Sequence, residues 1–111
     1  MLVFQPSVPT VDISAVPADA VLLDVREQDE WDAGHASDAV HIPMSQFVAR
    51  IAELPEAEPL YVVCRVGGRS AQVVQYLVAQ GRSAVNVDGG MLAWEAAGRE
   101  LVSDGGEAFV A

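Results

Sequence analysis

Apolar residues fall along this chain in short runs divided by proline, glycine and charge. Some runs are continuous and β-branched, others recur at helical spacing, and the two kinds alternate. Pro6, Pro9 and Pro17 prevent a long regular element in the first twenty residues, leaving room for a short strand near Val8 to Val11 and a turn. Ala20-Val21-Leu22-Leu23-Asp24-Val25 is nearly all apolar, as a strand buried on both faces of a parallel sheet requires. Glu27 to Ala33 reads as a short acidic helix stopped by Gly34, and Ala39 to Ile42 as a short strand ended by Pro43. Phe47, Val48, Ile51 and Leu54 form an apolar stripe that predicts a helix from an Ser45 N-cap to about Leu54. Leu60 to Val63 is a strongly β-prone run with Cys64 at its end. Ser70 to Gln80 predicts a helix with Val73, Val74, Leu77 and Val78 on one side and Gly81 as its stop. Ala84 to Val87 is a fifth strand, Asp88-Gly89-Gly90 a turn, and Met91 to Ala97 a last helix before Gly98. Ser103 to Gly106 reads as loose tail. Strands alternating with helices place the chain in the α/β class with a mostly parallel sheet.

Composition narrows this picture. At 111 residues and 51% hydrophobic, the chain can bury one core without staples, so one domain is expected over 1–111, with its core at about 8–102. No apolar run reaches membrane-spanning length, and Met1 to Pro6 lacks a basic region and a cleavage motif. A soluble, cytoplasmic protein is the expectation. A net charge of −10 argues against nucleic acid and membrane surfaces as partners. One cysteine excludes an internal disulfide, and with two histidines there is no basis for a metal site or another cofactor.

The charge is unevenly spread. All six basic residues are arginine, and Arg65, Arg69 and Arg82 lie in a stretch from Glu58 to Asp88 that has no acid between its ends. Two of these arginines flank Gly67-Gly68, just after Cys64. A free cysteine is by base rate a buried structural thiol. This one stands where a parallel strand enters a glycine-containing loop and then a helix, the edge at which open α/β sheets bind ligands. Loop amides can converge on a point as an anion nest, and the helix adds its positive end. Both favour thiolate over thiol, and so do arginines. Gly67 and Gly68 supply the backbone freedom that a tight curl needs. The loop from Cys64 to Arg69 is six residues long. Phosphoryl transfer needs a wider cradle for three equatorial oxygens. A tighter loop suits a single outer sulfur.

These residues resemble the rhodanese homology domain over about Val21 to Leu101. Leu23-Asp24-Val25-Arg26, with Glu30-Trp31 and Gly34-His35, is similar to the family's opening signature. Val63-Cys64-Arg65-Val66-Gly67-Gly68-Arg69-Ser70 resembles its active-site loop, and Gly89-Gly90-Met91-Leu92-Ala93-Trp94 with Gly98 its closing signature. Asp38 stands where the family has a glycine, and Glu100 where proline is common. The resemblance implies a central, mostly parallel five-stranded sheet flanked by helices on both faces. It implies sulfur transfer in which Cys64 takes a sulfane sulfur from a small anion such as thiosulfate, holds it as a persulfide, and passes it to cyanide, a thiol or a protein. It also implies that loops one residue longer go with phosphatases and arsenate reductases. A protein-interaction or sulfur-relay module is the alternative.

Supporting roles can be assigned from position. Cys64 is the nucleophile, and Arg65, Val66, Gly67, Gly68, Arg69 and Ser70 the substrate-binding loop. Either Arg65 or Arg69 can face an anionic donor. Ser70 is expected to cap the following helix, with donation to the sulfur as its second option. Asp24 and Arg26 leave the same sheet edge and are expected to steady the loop, Arg26 through a bond to Glu30 or to backbone. His35 is expected to bond the turn after its helix, because a thiolate formed at neutral pH needs no base. Trp31 and Trp94 are expected to pack.

Overall fold

The computed structural model describes residues 8–111; the readings placed on Met1 to Pro6 lie outside it. Five parallel strands form one sheet: β1 (Thr10–Val11), β2 (Leu22–Asp24), β3 (Val40–His41), β4 (Leu60–Val63) and β5 (Ala84–Val87). Their spatial order is β1-β5-β4-β2-β3. Three helices accompany them: α1 (Gln28–Ala33), α2 (Gly68–Ala79) and α3 (Gly90–Ala96). The α/β class and the five-stranded parallel sheet expected from the sequence are both found.

Alternation along each strand builds two cores, one on each face. Leu23, Val25, Leu60, Val62 and Ala84 face one way and pack with Val73, Val74 and Leu77 of α2. Leu22, Val63 and Val87 face the other way and pack with Val16, Met91 of α3 and Val110. Strands covered on both faces favour apolar side chains at every position, which is why β4 reads as an unbroken run and β2 as one interrupted only by the buried, paired Asp24. Val78, expected on the apolar side of α2, is exposed. Among the described residues no helix is long and apolar enough to cross a membrane.

One expected element is absent. Between Pro43 and Pro55 there is no α-helix capped by Ser45. Two 3₁₀ turns stand there instead, Met44–Gln46 and Ile51–Glu53, with Arg50 at φ −110°, ψ 17° between them. A ten-residue segment is too short for helix propensity to hold it, so packing decides. Phe47, Met44, Ile51 and Leu54 do reach the α2-side core, but Val48 lies in solvent. The Ser45 hydroxyl donates to Glu27 Oε1 at 2.6 Å rather than capping its own segment.

The topology fixes where a ligand can sit. From β2 the chain crosses to β3 at one edge, and from β4 it crosses to β5 in the opposite direction. The connections therefore diverge at the carboxyl ends of the neighbouring strands β2 and β4, opening a crevice. Cys64 is the first residue past β4 at that crevice.

Candidate active site

The Cys64 side chain is enclosed, with the residue only 1% exposed. Its Sγ accepts a hydrogen bond from Gly67 N–H at 3.0 Å and lies 3.3 Å from Ser70 Oγ. Burial alone would raise the thiol pKa. Hydrogen bonds from the Ser70 hydroxyl and from the Ser70, Gly67 and Val66 amides outweigh burial and hold it below its ordinary value. The curl is made by Gly67, whose φ of 120° is closed to most side chains. Gly68 has no positive φ; it is the first residue of α2, with open space where a Cβ would go.

Three other segments hold the loop in this shape. At the start of α3, Met91 N–H donates to the Cys64 carbonyl at 2.8 Å and Leu92 N–H to the Arg65 carbonyl at 3.1 Å. These bonds turn the loop's carbonyls away from the sulfur. Gly90, at φ 52°, makes the approach possible, because a Cβ there would run into the Cys64 and Arg65 carbonyls. From β5, Asn86 Nδ2 donates to the Gly67 carbonyl at 3.2 Å, and Asn86 Oδ1 lies 2.6 Å from Ser70 Oγ. Neither Asn86 nor Gly90 stood among the expected site residues. Asn86 was detectable as the one polar residue of the run Ala84-Val85-Asn86-Val87. A buried polar side chain in such a strand needs a partner.

Ser70 is not the cap of α2. That position belongs to Gly67, and Ser70 is buried three residues further on. Its hydroxyl carries one hydrogen and faces two acceptors, Asn86 Oδ1 and Cys64 Sγ. While the thiol is protonated, Ser70 can donate to Asn86. Once the thiolate forms, the same hydrogen can turn to the sulfur.

The arginines are engaged. Arg69 makes a two-pronged pair with Glu30 of α1, Nη1 to Oε1 at 2.7 Å and Nη2 to Oε2 at 2.8 Å. This pairing, aided by the Glu27 amide, holds the Glu30 carboxyl down at about 2 despite partial burial. Arg65 donates its Nε to the Ala111 oxygen at 2.9 Å, and Arg82 donates to the Pro55 carbonyl at 2.6 Å. The local arginine excess is thus spread over three separate contacts. The groups in direct contact with the sulfur are amides and a hydroxyl.

Asp24 and Arg26 do not touch the loop. They form a fully buried ion pair, Arg26 Nη2 to Asp24 Oδ2 at 2.8 Å, with both side chains 0% exposed. Asp24 also accepts from the Arg26 amide and Nε, so its oxygens are used up two residues along the chain. The remaining Arg26 donors go to the Glu30 carbonyl at 3.3 Å and the Gly34 carbonyl at 2.8 Å. The pair therefore pins the middle and the C-terminal end of α1, from which Glu30 reaches Arg69. His35 Nδ1 meets the Trp31 carbonyl at 2.8 Å, and Trp31 is stacked between His35 and His41 at centroid distances of 3.6 and 4.5 Å. Trp94 packs under Arg99 and donates to the Glu100 carbonyl. A cleft of about 610 Å³ at the amino ends of β2 and β3 includes Trp94, Asp38 and Glu100 but not Cys64.

Comparison with known proteins places this geometry. The profile of the Rhodanese-like domain matches residues 13–97. A sulfurtransferase of Allochromatium vinosum is 36% identical over 89 residues, 79% of this chain and 83% of its own. The thiosulfate sulfurtransferase GlpE of Pseudomonas savastanoi is 41% identical over 78 residues, 69% of this chain and 74% of its own. A crystal structure of a rhodanese-like domain protein from Staphylococcus aureus superimposes with a TM-score of 0.70 at 32% identity, over 91% of this chain and 98% of that one.

Proposed function

Since the chain belongs to the Rhodanese-like domain family, we propose that it is a sulfurtransferase that carries sulfur as a persulfide on Cys64. The observation that carries this reading is the sulfur's setting. An enclosed cysteine accepts from loop amides at the start of a helix and has its pKa lowered in spite of burial. The activity names of its relatives support the same reading.

The reaction follows from that setting. With thiosulfate as donor, the Cys64 thiolate attacks the sulfane sulfur. A sulfur–sulfur bond to Cys64 forms, the bond to the sulfonate sulfur breaks, and sulfite leaves with the bonding pair. The product Cys–S–S⁻ carries the same single negative charge as the thiolate it replaces. The amides that stabilise the thiolate remain available to an anion one atom longer. An acceptor nucleophile, such as cyanide or a thiolate, then attacks the outer sulfur and restores the Cys64 thiolate. No general base is required once the thiolate has formed, and the hydrogen bonds that lower the Cys64 pKa favour that form.

A protein can stand in for either small molecule without changing this chemistry. Val66, at the crest of the loop, is 54% exposed and offers an apolar contact beside the sulfur. Phosphate-ester chemistry is disfavoured by the six-residue loop and by Arg69, whose guanidinium already holds a carboxylate.

The decisive measurement is thiocyanate formation from thiosulfate and cyanide, wild type against Cys64→Ser, with mass spectrometry of the donor-treated protein. The expected result is turnover in the wild type only and a gain of about 32 Da on Cys64 (one sulfur atom). Equal rates in both proteins, or no adduct with any sulfane donor, would overturn the proposal.

A further inference from the structure

Past α3 the chain turns back toward the active site. Val102 forms an antiparallel bridge with His35, and Ser103 closes a bend onto the Gly106 carbonyl. Phe109 N–H then donates to the Ala33 carbonyl at 3.1 Å. The crossing is close: a Cβ on Gly34 would collide with the Phe109 backbone. Val110 is 8% exposed, belongs to the α3-side core, and donates its N–H to Glu95 Oε2 at 2.9 Å. Ala111 accepts from Arg65 Nε. Four successive contacts, to α1, Gly34, α3 and the loop, thus lead the tail to the residue that follows Cys64.

The last contact sets the pose of a cation. Arg65 is an exposed residue on a flexible stem, and an arginine free in solvent spends little time in any one orientation. Here its Nε edge is held. Among the described residues neither terminal nitrogen of Arg65 has a protein acceptor. A guanidinium fixed by one edge presents the other to an oxyanion with less ordering left to do.

We propose that Phe109–Ala111 is a positioning strap for an anionic sulfur donor, holding Arg65 beside Cys64 so that its two terminal nitrogens meet the donor's sulfonate oxygens. This rests on the sulfurtransferase reading for the donor's identity, but not for the contact itself. The strap lies outside the segment matched by the family profile.

The test uses the full chain with Val110→Asn, which makes the strap's buried anchor polar without adding charge, and Val110→Ile as the conservative control. Two readings are taken. One is KM and kcat with thiosulfate. The other needs no sulfur transfer: the ratio of Cys64 alkylation rates by iodoacetate, an anion, and iodoacetamide, which is neutral. Val110→Asn is expected to raise KM about threefold with little change in kcat, and to lower the alkylation ratio about twofold, as loss of a nearby oriented charge would. Val110→Ile should restore both. In an Arg65→Gln background, Val110→Asn should change neither. If Val110→Asn does not fold, a chain ending at Ala108 takes its place. An unchanged ratio, a KM that falls, or an effect that persists without Arg65 would overturn the strap. If Val110→Asn lowers the alkylation ratio but the wild type transfers no sulfur, the strap stands and the sulfurtransferase reading is overturned instead.

Discussion

At the scale of single residues, the site is governed by which atom receives which hydrogen. Sγ has one firm amide donor at 3.0 Å and a hydroxyl that another acceptor also claims. Replacing Ser70 by alanine removes the hydroxyl's contribution to the thiolate and leaves Asn86 Oδ1 unpartnered. The Cys64 thiol is expected to move back up toward its ordinary range, so the pH profile of iodoacetamide alkylation shifts alkaline and the rate at neutral pH drops about three- to tenfold. An unmoved profile would mean that the amides alone set the thiolate. Cys64, the loop glycines and the arginines were all visible in the sequence, because reactive chemistry concentrates in a few residue types. The partners of those arginines were not visible. Arg69 meets Glu30 across 39 positions and Arg65 meets Ala111 across 46, and local pattern carries no information about contacts at that range.

At the scale of elements, the loop is a guest of α3 as much as of α2. Gly90→Ala would set a methyl group against two backbone carbonyls, at a φ of 52° that alanine resists. A loss of about 2 kcal/mol or more is expected, with sulfur transfer falling further than stability because the Cys64 and Arg65 carbonyls are displaced. Denaturant titration beside a thiocyanate assay separates the two effects, and a fully active, stable variant would contradict the role assigned to Gly90. The central strands and α2 could be read from the sequence because each buries a regular face, and α1 because acidic residues and Gly34 mark its course. The segment from Ser45 to Leu54 could not. Its apolar stripe is real, but with prolines at both ends it is too short to insist on α geometry, and its side chains reach the core from two 3₁₀ turns. Ser70 was misplaced for a related reason: Gly67 starts the helix three residues earlier than a Ser N-cap would. Asp24 and Arg26 were expected to steady the loop from the same sheet edge, but burial drew them to each other.

At the scale of the whole molecule, acid should loosen the fold through Glu30. Its carboxyl sits at about 2 against an ordinary 4.5, so the folded state binds that proton less readily than the unfolded chain. Its contribution is complete above the ordinary range and is lost as pH falls from about 4.5 to about 2. Because the pair is partly exposed, about 1 kcal/mol is expected at pH 7. The stability gap between wild type and Glu30→Gln, measured by denaturant unfolding, should therefore shrink toward about pH 2. A gap that stays constant would place the stabilisation elsewhere. The same tie between α1 and α2 spans the crevice where the crossovers diverge, so the two halves of the sheet share the loop between them. The anchoring of the Cys64 and Arg65 carbonyls on Met91 and Leu92 makes the sulfur's seat only as durable as a seven-residue helix near the end of the chain. Warmth that frays that helix would silence the chemistry while β4 and β2 were still intact. Inactivation on heating would then mark the melting of a buttress and not of the building.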